Sequence, residues 1–339
     1  MRIHFTASYQ CLCTALAIFL LYSINVGADE KVPEFITFTF ENDFFVGDDD
    51  GYTNGLGITY GKGPFKAFSN DNLPNWLLGL TKDIYVSTMK NKDRAVAHMF
   101  FQRMQTPSDL TEPELINDDV PYVGLLAWQG TLYAWDDHVS DQLSLYLGAV
   151  GPITHAEQAQ TLIHKLTGAD EPKGWDNQIQ NEPVFKVEAQ RIWSLYRSPG
   201  RGKQFDILGL WGAGIGNLES ATKGGFVVRW GTNLKNSYHA FSLQVDRQIN
   251  PLSLTPDNDF YLFLGGRVGV VFNNIFINGN TFKDSHSVPL EHFQDQVSTG
   301  VVWSFGRNAF VFQVSSVSSS TKIIDERDAF GALSFTHRF

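Results

Sequence analysis

The chain closes on Leu333-Ser334-Phe335-Thr336-His337-Arg338-Phe339. Leu333, Phe335 and Phe339 fall on one side of an extended backbone, and Ser334, Thr336 and Arg338 on the other. A period of two belongs to a strand with one apolar face. The same order recurs upstream. In residues 142–149, Leu143, Leu145, Leu147 and Ala149 oppose Gln142, Ser144 and Tyr146. In residues 238–246, Phe241, Leu243 and Val245 oppose Ser242, Gln244 and Asp246. In residues 260–272, Phe260, Leu262, Leu264, Val268, Val270 and Phe272 oppose Tyr261 and Arg267. Phe310, Phe312 and Val314 alternate with Val311, Gln313 and Ser315.

The N-terminus is of another kind. Arg2 is the single formal charge in residues 1–28. The apolar run Ala15-Leu16-Ala17-Ile18-Phe19-Leu20-Leu21 follows it, then Val26-Gly27-Ala28. A basic start, a short apolar centre and a small residue at the cut predict a secretory signal over residues 1–28. The run is too short for a spanning helix. Residues 29–339 then form one domain. Both cysteines, Cys11 and Cys13, lie in the signal. The mature chain therefore offers no disulfide, thiolate metal site or cysteine nucleophile.

With 18% charged and 14% aromatic residues and a formal net charge of −10, the chain is not a nucleic-acid binder, which needs a basic surface. No later segment has the apolar length of a spanning helix. Several alternating runs do reach the roughly ten residues of a tilted strand crossing a bilayer. A closed barrel satisfies every backbone group of such strands in lipid. The expected fold is an all-β, transmembrane antiparallel barrel. The aromatic Phe339 ending an alternating strand resembles the assembly signal of bacterial outer-membrane barrels, which implies handling by the barrel assembly machinery. One segment departs from the pattern. Thr154-His155-Ala156-Glu157 reads as a capping box opening a helix over residues 155–167, stopped by Gly168.

Two clusters could carry chemistry. Glu41-Asn42-Asp43 ends the strand over residues 35–40, and Tyr52-Thr53-Asn54-Gly55 opens the next. If these strands form a hairpin, the clusters meet at its mouth, where Asn and Asp offer hard oxygen ligands suited to Ca²⁺. The same residue types also populate ordinary turns. The second cluster is His164, with Gln160 one helical turn before it and Asp170 six residues after. Neutral His can act as a general base, although a helical His is commonly structural. The nucleophile elbow, the H-E-x-x-H motif and a Walker-type loop are all missing from the sequence. The run Asp48-Asp49-Asp50 lacks EF-hand spacing and reads as a solvated turn.

Together these pieces resemble the outer-membrane lipid A 3′-O-deacylases. The resemblance rests on Phe40-Glu41-Asn42-Asp43-Phe44-Phe45, Tyr52-Thr53-Asn54-Gly55 and Pro121-Tyr122-Val123-Gly124. Leu147-Gly148-Ala149-Val150-Gly151-Pro152, Gln160 to His164, and Gly174-Trp175-Asp176-Asn177-Gln178 follow in the family's order. It implies a twelve-stranded barrel with one short loop helix, and a site at the outer-leaflet end. It further implies Ca²⁺-dependent removal of a 3′-linked acyloxyacyl group from the lipid A of lipopolysaccharide by a monomer in the outer membrane. His164 matches the family's base and Asn42 and Thr53 its catalytic partners. Asn42 and Asp43 match the family's Asn-Asp pair, and Asp170 falls where the best-known member has a glutamate; the three are assigned to the metal, and Gln160 to substrate. Two family features are missing. The stretch Asp119-Val120-Pro121-Tyr122 lacks an arginine, and residues 105–118 hold no Lys or Arg. Competing readings are a porin or channel, whose lumen Gln142, Ser144 and Gln244 would suit, a phospholipase A-like serine hydrolase barrel, and a family member that has lost activity.

Overall fold

The computed structural model describes residues 32–43, 52–200, 202–236 and 259–339. Their alternation is realised as twelve strands. These are β1 (Glu34–Asn42), β2 (Tyr52–Phe65), β3 (Asp93–Gln105), β4 (Val123–Trp135), β5 (Val139–Val150) and β6 (Glu182–Arg197). Then come β7 (Gln204–Gly216), β8 (Glu219–Gly231), β9 (Asp259–Asn274), β10 (Phe293–Phe305), β11 (Asn308–Val317) and β12 (Asp328–Arg338). Each pairs antiparallel with its neighbour in sequence, and β12 pairs with β1, so the sheet closes on itself. Across that seam Thr37 and Thr336 share a hydroxyl hydrogen bond of 2.6 Å, and Thr39 and Ser334 one of 2.8 Å. The Phe339 main-chain N–H donates to the Glu34 carbonyl at 2.9 Å, adding a last rung.

The apolar residues of the alternating runs among the described residues point outward. Phe260, Leu262, Leu264, Val268, Val270 and Phe272 of β9 are all exposed, while Tyr261 and Arg267 are buried inside. Leu147 of β5 is exposed, and Gln142, Ser144 and Tyr146 are buried. An apolar band outside and polar groups inside is the order lipid imposes on a barrel.

The inward side chains fill the interior. Gln129 donates through Nε2 to Thr131, Ser144 and Tyr146, and Gln296 to Ser298 and Ser315. Arg229 holds Asp206 through two hydrogen bonds of 2.9 and 2.6 Å. Ile192, Leu208, Leu210, Val227, Tyr261 and Phe263 add an apolar layer. Gln142 and Ser144, which would suit an aqueous lumen, are enclosed in this packing.

The expected helix forms, but not by the expected cap. It is one of four short α-helices among the described residues: α1 (Asn75–Thr81), α2 (Tyr85–Thr88), α3 (Ala156–Thr167) and α4 (Ile275–Asn278). Thr154 does not cap α3. It already lies in a 3₁₀ turn, Pro152–Thr154, and its hydroxyl donates to the Gly151 carbonyl at 2.8 Å. The N-cap is His155 in a left-handed conformation, without a side-chain bond. Gly168 does end the helix, at φ 78°. The signal segment, the run over residues 238–246, the turn at residues 48–50 and the side chain of Thr53 lie outside the described residues.

A closed barrel stays folded in detergent until heated. The protein should therefore migrate differently on a denaturing gel before and after boiling. Identical migration would contradict closure.

Candidate active site on the outer wall

Helix α3 sits outside the barrel, against the loop-end faces of β3 and β4. Outward and inward residues alternate along these strands. Exposed Phe100 and Leu126 mark the outer face, to which Gln102, Met104 and Gly124 also belong. Met104 packs with Tyr122, Ala156 and Trp175. Gln102 donates to the Thr154 carbonyl at 2.6 Å.

Gly124 is the seat of the helix. A Cβ there would lie 2.2 Å from Thr154 Oγ1 and 2.5 Å from Ala156 Cβ, closer than real atoms approach. The missing side chain lets the loop and helix touch the sheet. Gly151 N–H donates to the Gly124 carbonyl at 3.0 Å, and Ile179 N–H to the Tyr122 carbonyl at 3.1 Å. The Tyr122 and Trp175 rings meet at 5.0 Å. Gly174 is needed there, because a Cβ would fall 2.5 Å from the Tyr122 ring. Pro121-Tyr122-Val123-Gly124 and Gly174-Trp175-Asp176-Asn177-Gln178, quoted above without a role, are thus the frame that holds α3.

The wall-facing stripe of α3 is polar. Ala156, Gln160 and His164 recur every four residues and all three are buried. A helix that buries Gln and His while Leu162 is exposed is not built for packing alone. Gln160 Oε1 accepts from Trp175 Nε1 at 2.7 Å, which fixes the amide plane. Its Nε2 is buried with no hydrogen-bond partner among the described residues.

His164 is oriented by the chain reversal that follows it. Gly168 and Ala169 N–H both donate to the His164 carbonyl, at 2.8 and 3.1 Å. The left-handed Gly168 then brings the Asp170 main-chain carbonyl to His164 Nδ1 at 2.5 Å. A carbonyl only accepts, so Nδ1 carries the proton and Nε2 is the basic nitrogen of the neutral ring. Asp170 enters the site through its backbone, and the residue is otherwise exposed.

Asn42 and Asp43 stand at the loop end of β1. Glu41 pairs with Gly55 of β2 and Gly55 with Arg103 of β3, so these three strands finish level. Glu41 and Asp43 are buried, and Asn42, between them, is partly exposed. By strand alternation Asn42 shares the outer face with Met104. Two strand spacings of about 4.8 Å separate them. Among the described residues no three His, Asp or Glu side chains gather into a metal-binding group.

A family model described as outer membrane protein LpxR matches residues 12–339. The chain belongs to this outer-membrane protein family. LpxR from Salmonella typhimurium has a similar structure, with a TM-score of 0.75 and 17% identity over 89% of this chain and 99% of that one. At this identity the likeness shows the shared barrel. The translocator domain of the autotransporter NalP from Neisseria meningitidis is far less similar, with a TM-score of 0.39 and 13% identity over 98% of this chain and 100% of that one. No curated protein sequence matches.

Val120 stands where the resemblance leads one to expect arginine. It is buried with Ala221, Val271, Ile277, Val288 and Leu290 in an apolar cluster under the β9–β10 loop. Asp119 beside it accepts from Ser108 N–H and Oγ and from Val120 N–H. That stretch anchors loops and presents no cation. The seat made by Gly124, Tyr122 and Trp175 was not assigned from sequence. The glycines within otherwise apolar motifs were its only signal.

Proposed function

We propose that the protein is an outer-membrane lipid A deacylase, hydrolysing a 3′-linked acyloxyacyl ester with water as nucleophile. The observation that carries this reading is the buried His164 on the wall-facing side of α3, its Nδ1 committed to the Asp170 carbonyl. A base held in one tautomer outside a barrel is placed where a lipid anchored in the same membrane can reach it. His164 Nε2 takes a proton from water, and that water attacks the ester carbonyl. The acyl C–O bond then breaks, releasing the fatty acid, and the leaving sugar oxygen takes up the proton from His164. Gln160, clamped by Trp175, turns its remaining amide donor toward the substrate. The resemblance assigns Asn42 and Thr53 as catalytic partners of His164. The enclosed interior gives a channel reading less support than an enzyme built on the outer face.

Calcium suits the donors present. Asn42 and Asp43 offer hard oxygens at the mouth of β1, and no thiolate exists in residues 29–339. Asn42 and Asp43 would hold the ion, with main-chain oxygens and water completing the shell, as calcium sites allow. A bound Ca²⁺ supplies Lewis-acid stabilisation of charge developing on the carbonyl oxygen.

Mass spectrometry of lipid A from cells with and without the protein tests the activity. The expected result is loss of one acyloxyacyl group, and unchanged lipid A would overturn the reading. In isolated outer membranes a chelator should abolish the loss and added calcium restore it. Full turnover in excess chelator would remove the metal from the mechanism. Labelling by an active-site-directed serine reagent would favour a serine hydrolase instead.

A further inference from the structure

The segment joining β2 to β3 lies at the opposite end from α3, where β1 begins and β12 ends. It neither hangs free nor caps the lumen. It folds back onto the outer wall. The alternation that leaves Phe100 of β3 64% exposed puts Val96 on the same outer face, and Leu132 and Ala134 of β4 share it with Leu126. Yet Val96, Leu132 and Ala134 are at most 3% exposed. Leu73, Leu77 and Val86 of the α1–α2 hairpin cover them. Tyr85 Oη donates to the Gln142 carbonyl of β5 at 3.4 Å, so the hairpin spans three strands.

A second feature fixes its setting. Arg94 also faces outward, one residue in from the Asp93–Trp135 pair at the rim. Its guanidinium donates to the main-chain carbonyls of Lys66, Lys92 and Ser87, at 2.6, 3.0 and 3.1 Å, and to that of Met89. All four belong to the segment that carries the hairpin. The Arg94 guanidinium therefore pins the segment to the outer wall.

We propose that the α1–α2 hairpin is embedded in the periplasmic leaflet and that its outer face takes the acyl chains of that leaflet's phospholipids. Helix α1, Asn-Trp-Leu-Leu-Gly-Leu-Thr, has no charged side chain. It is apolar on both sides. Leu77 faces the wall, while Trp76 and Leu80 point away, Leu80 at 70% exposure. The Trp76 ring lies 6.2 Å from that of Trp128. Trp128 pairs with Phe100, seven residues from the Asp93–Trp135 pair at the rim, a height of about 18 Å for a tilted strand. An element lying on the outer wall at that height is inside the bilayer, continuous with its lipid-facing surface. Exposed Lys82 and Asp83 stand at the turn between α1 and α2, and exposed Lys90 follows α2; both lysines are long enough to snorkel to phosphate headgroups. This assignment depends on the outer-membrane barrel and not on the deacylase reading.

Residues 29–339 lack cysteine, so one thiol can be labelled cleanly. Leu80→Cys and, separately, Tyr85→Cys are spin-labelled in the full barrel and reconstituted in phosphatidylethanolamine–phosphatidylglycerol vesicles. Phe100→Cys serves as the bare-wall reference and Asp325→Cys as the aqueous one. The expected result is oxygen-over-nickel accessibility at 80 and 85 that matches residue 100. Accessibility matching residue 325 at both positions would overturn the proposal. So would dipolar broadening that disappears on dilution with unlabelled protein, which would mean that a second copy covers the hairpin.

Discussion

His164→Ala should lower the rate of acyl release from lipid A by about 10²–10⁴, the usual effect of losing a positioned base. The barrel should still insert and remain heat-modifiable, since His164 belongs to a loop helix outside the wall and to no strand pairing. His155 on the same helix is the control. It is exposed and caps α3 in a left-handed conformation. His155→Asn keeps a residue that tolerates that backbone and should leave the rate near that of the parent. A general defect of α3 would affect both variants alike. The measurement is the time course of lipid A deacylation at matched barrel content. Parental turnover by a fully inserted His164→Ala would show that the base is another group.

Gly124→Val tests the seat. The new Cβ would collide with Thr154 and Ala156, and overpacking of this kind costs about 1–3 kcal/mol. Helix α3 is the part free to yield, because valine suits the strand and β4 keeps its pairing with Met104 of β3. Displacing α3 moves Gln160 and His164 together. A shift near 1 Å can cost about 10² in rate, so activity should fall at least that far while the barrel stays heat-modifiable. Gly79→Ala is the comparison, because a Cβ at Gly79 meets nothing within 4 Å, and it should leave activity unchanged. Equal turnover by Gly124→Val would mean that close contact of α3 with the wall is not required.

Some of this was open to inspection in the chain. Strand alternation is a local property with a period of two, so the outward apolar rows of β5, β9, β11 and β12 could be written down before any contact was known. Gly168 as a helix stop is equally local. The capping box misled because Thr154 had a stronger partner nearby, the Gly151 carbonyl, inside a 3₁₀ turn that its sequence does not announce. Helices α1 and α2 carry no such local signal, for a different reason. Their apolar residues serve the wall on one side and point outward on the other, so residues 73–80 show neither a helical stripe nor a strand alternation.

The order of residues along the chain sets the class of fold and the residue types at the site, because side-chain period and donor chemistry are properties of the residues themselves. It carried Asn42, Asp43, Gln160 and His164 without saying what any of them faces. Tertiary structure decided that α3 lies outside the barrel rather than in its lumen, since that depends on Gly124 leaving room on one face of β4. It also decided that Asp170 reaches His164 through its carbonyl, because the left-handed turn at Gly168 directs the backbone, and not the carboxylate, toward the ring. Both outcomes turn on which atoms of distant or reversed segments come into contact, and no periodicity along the chain encodes that.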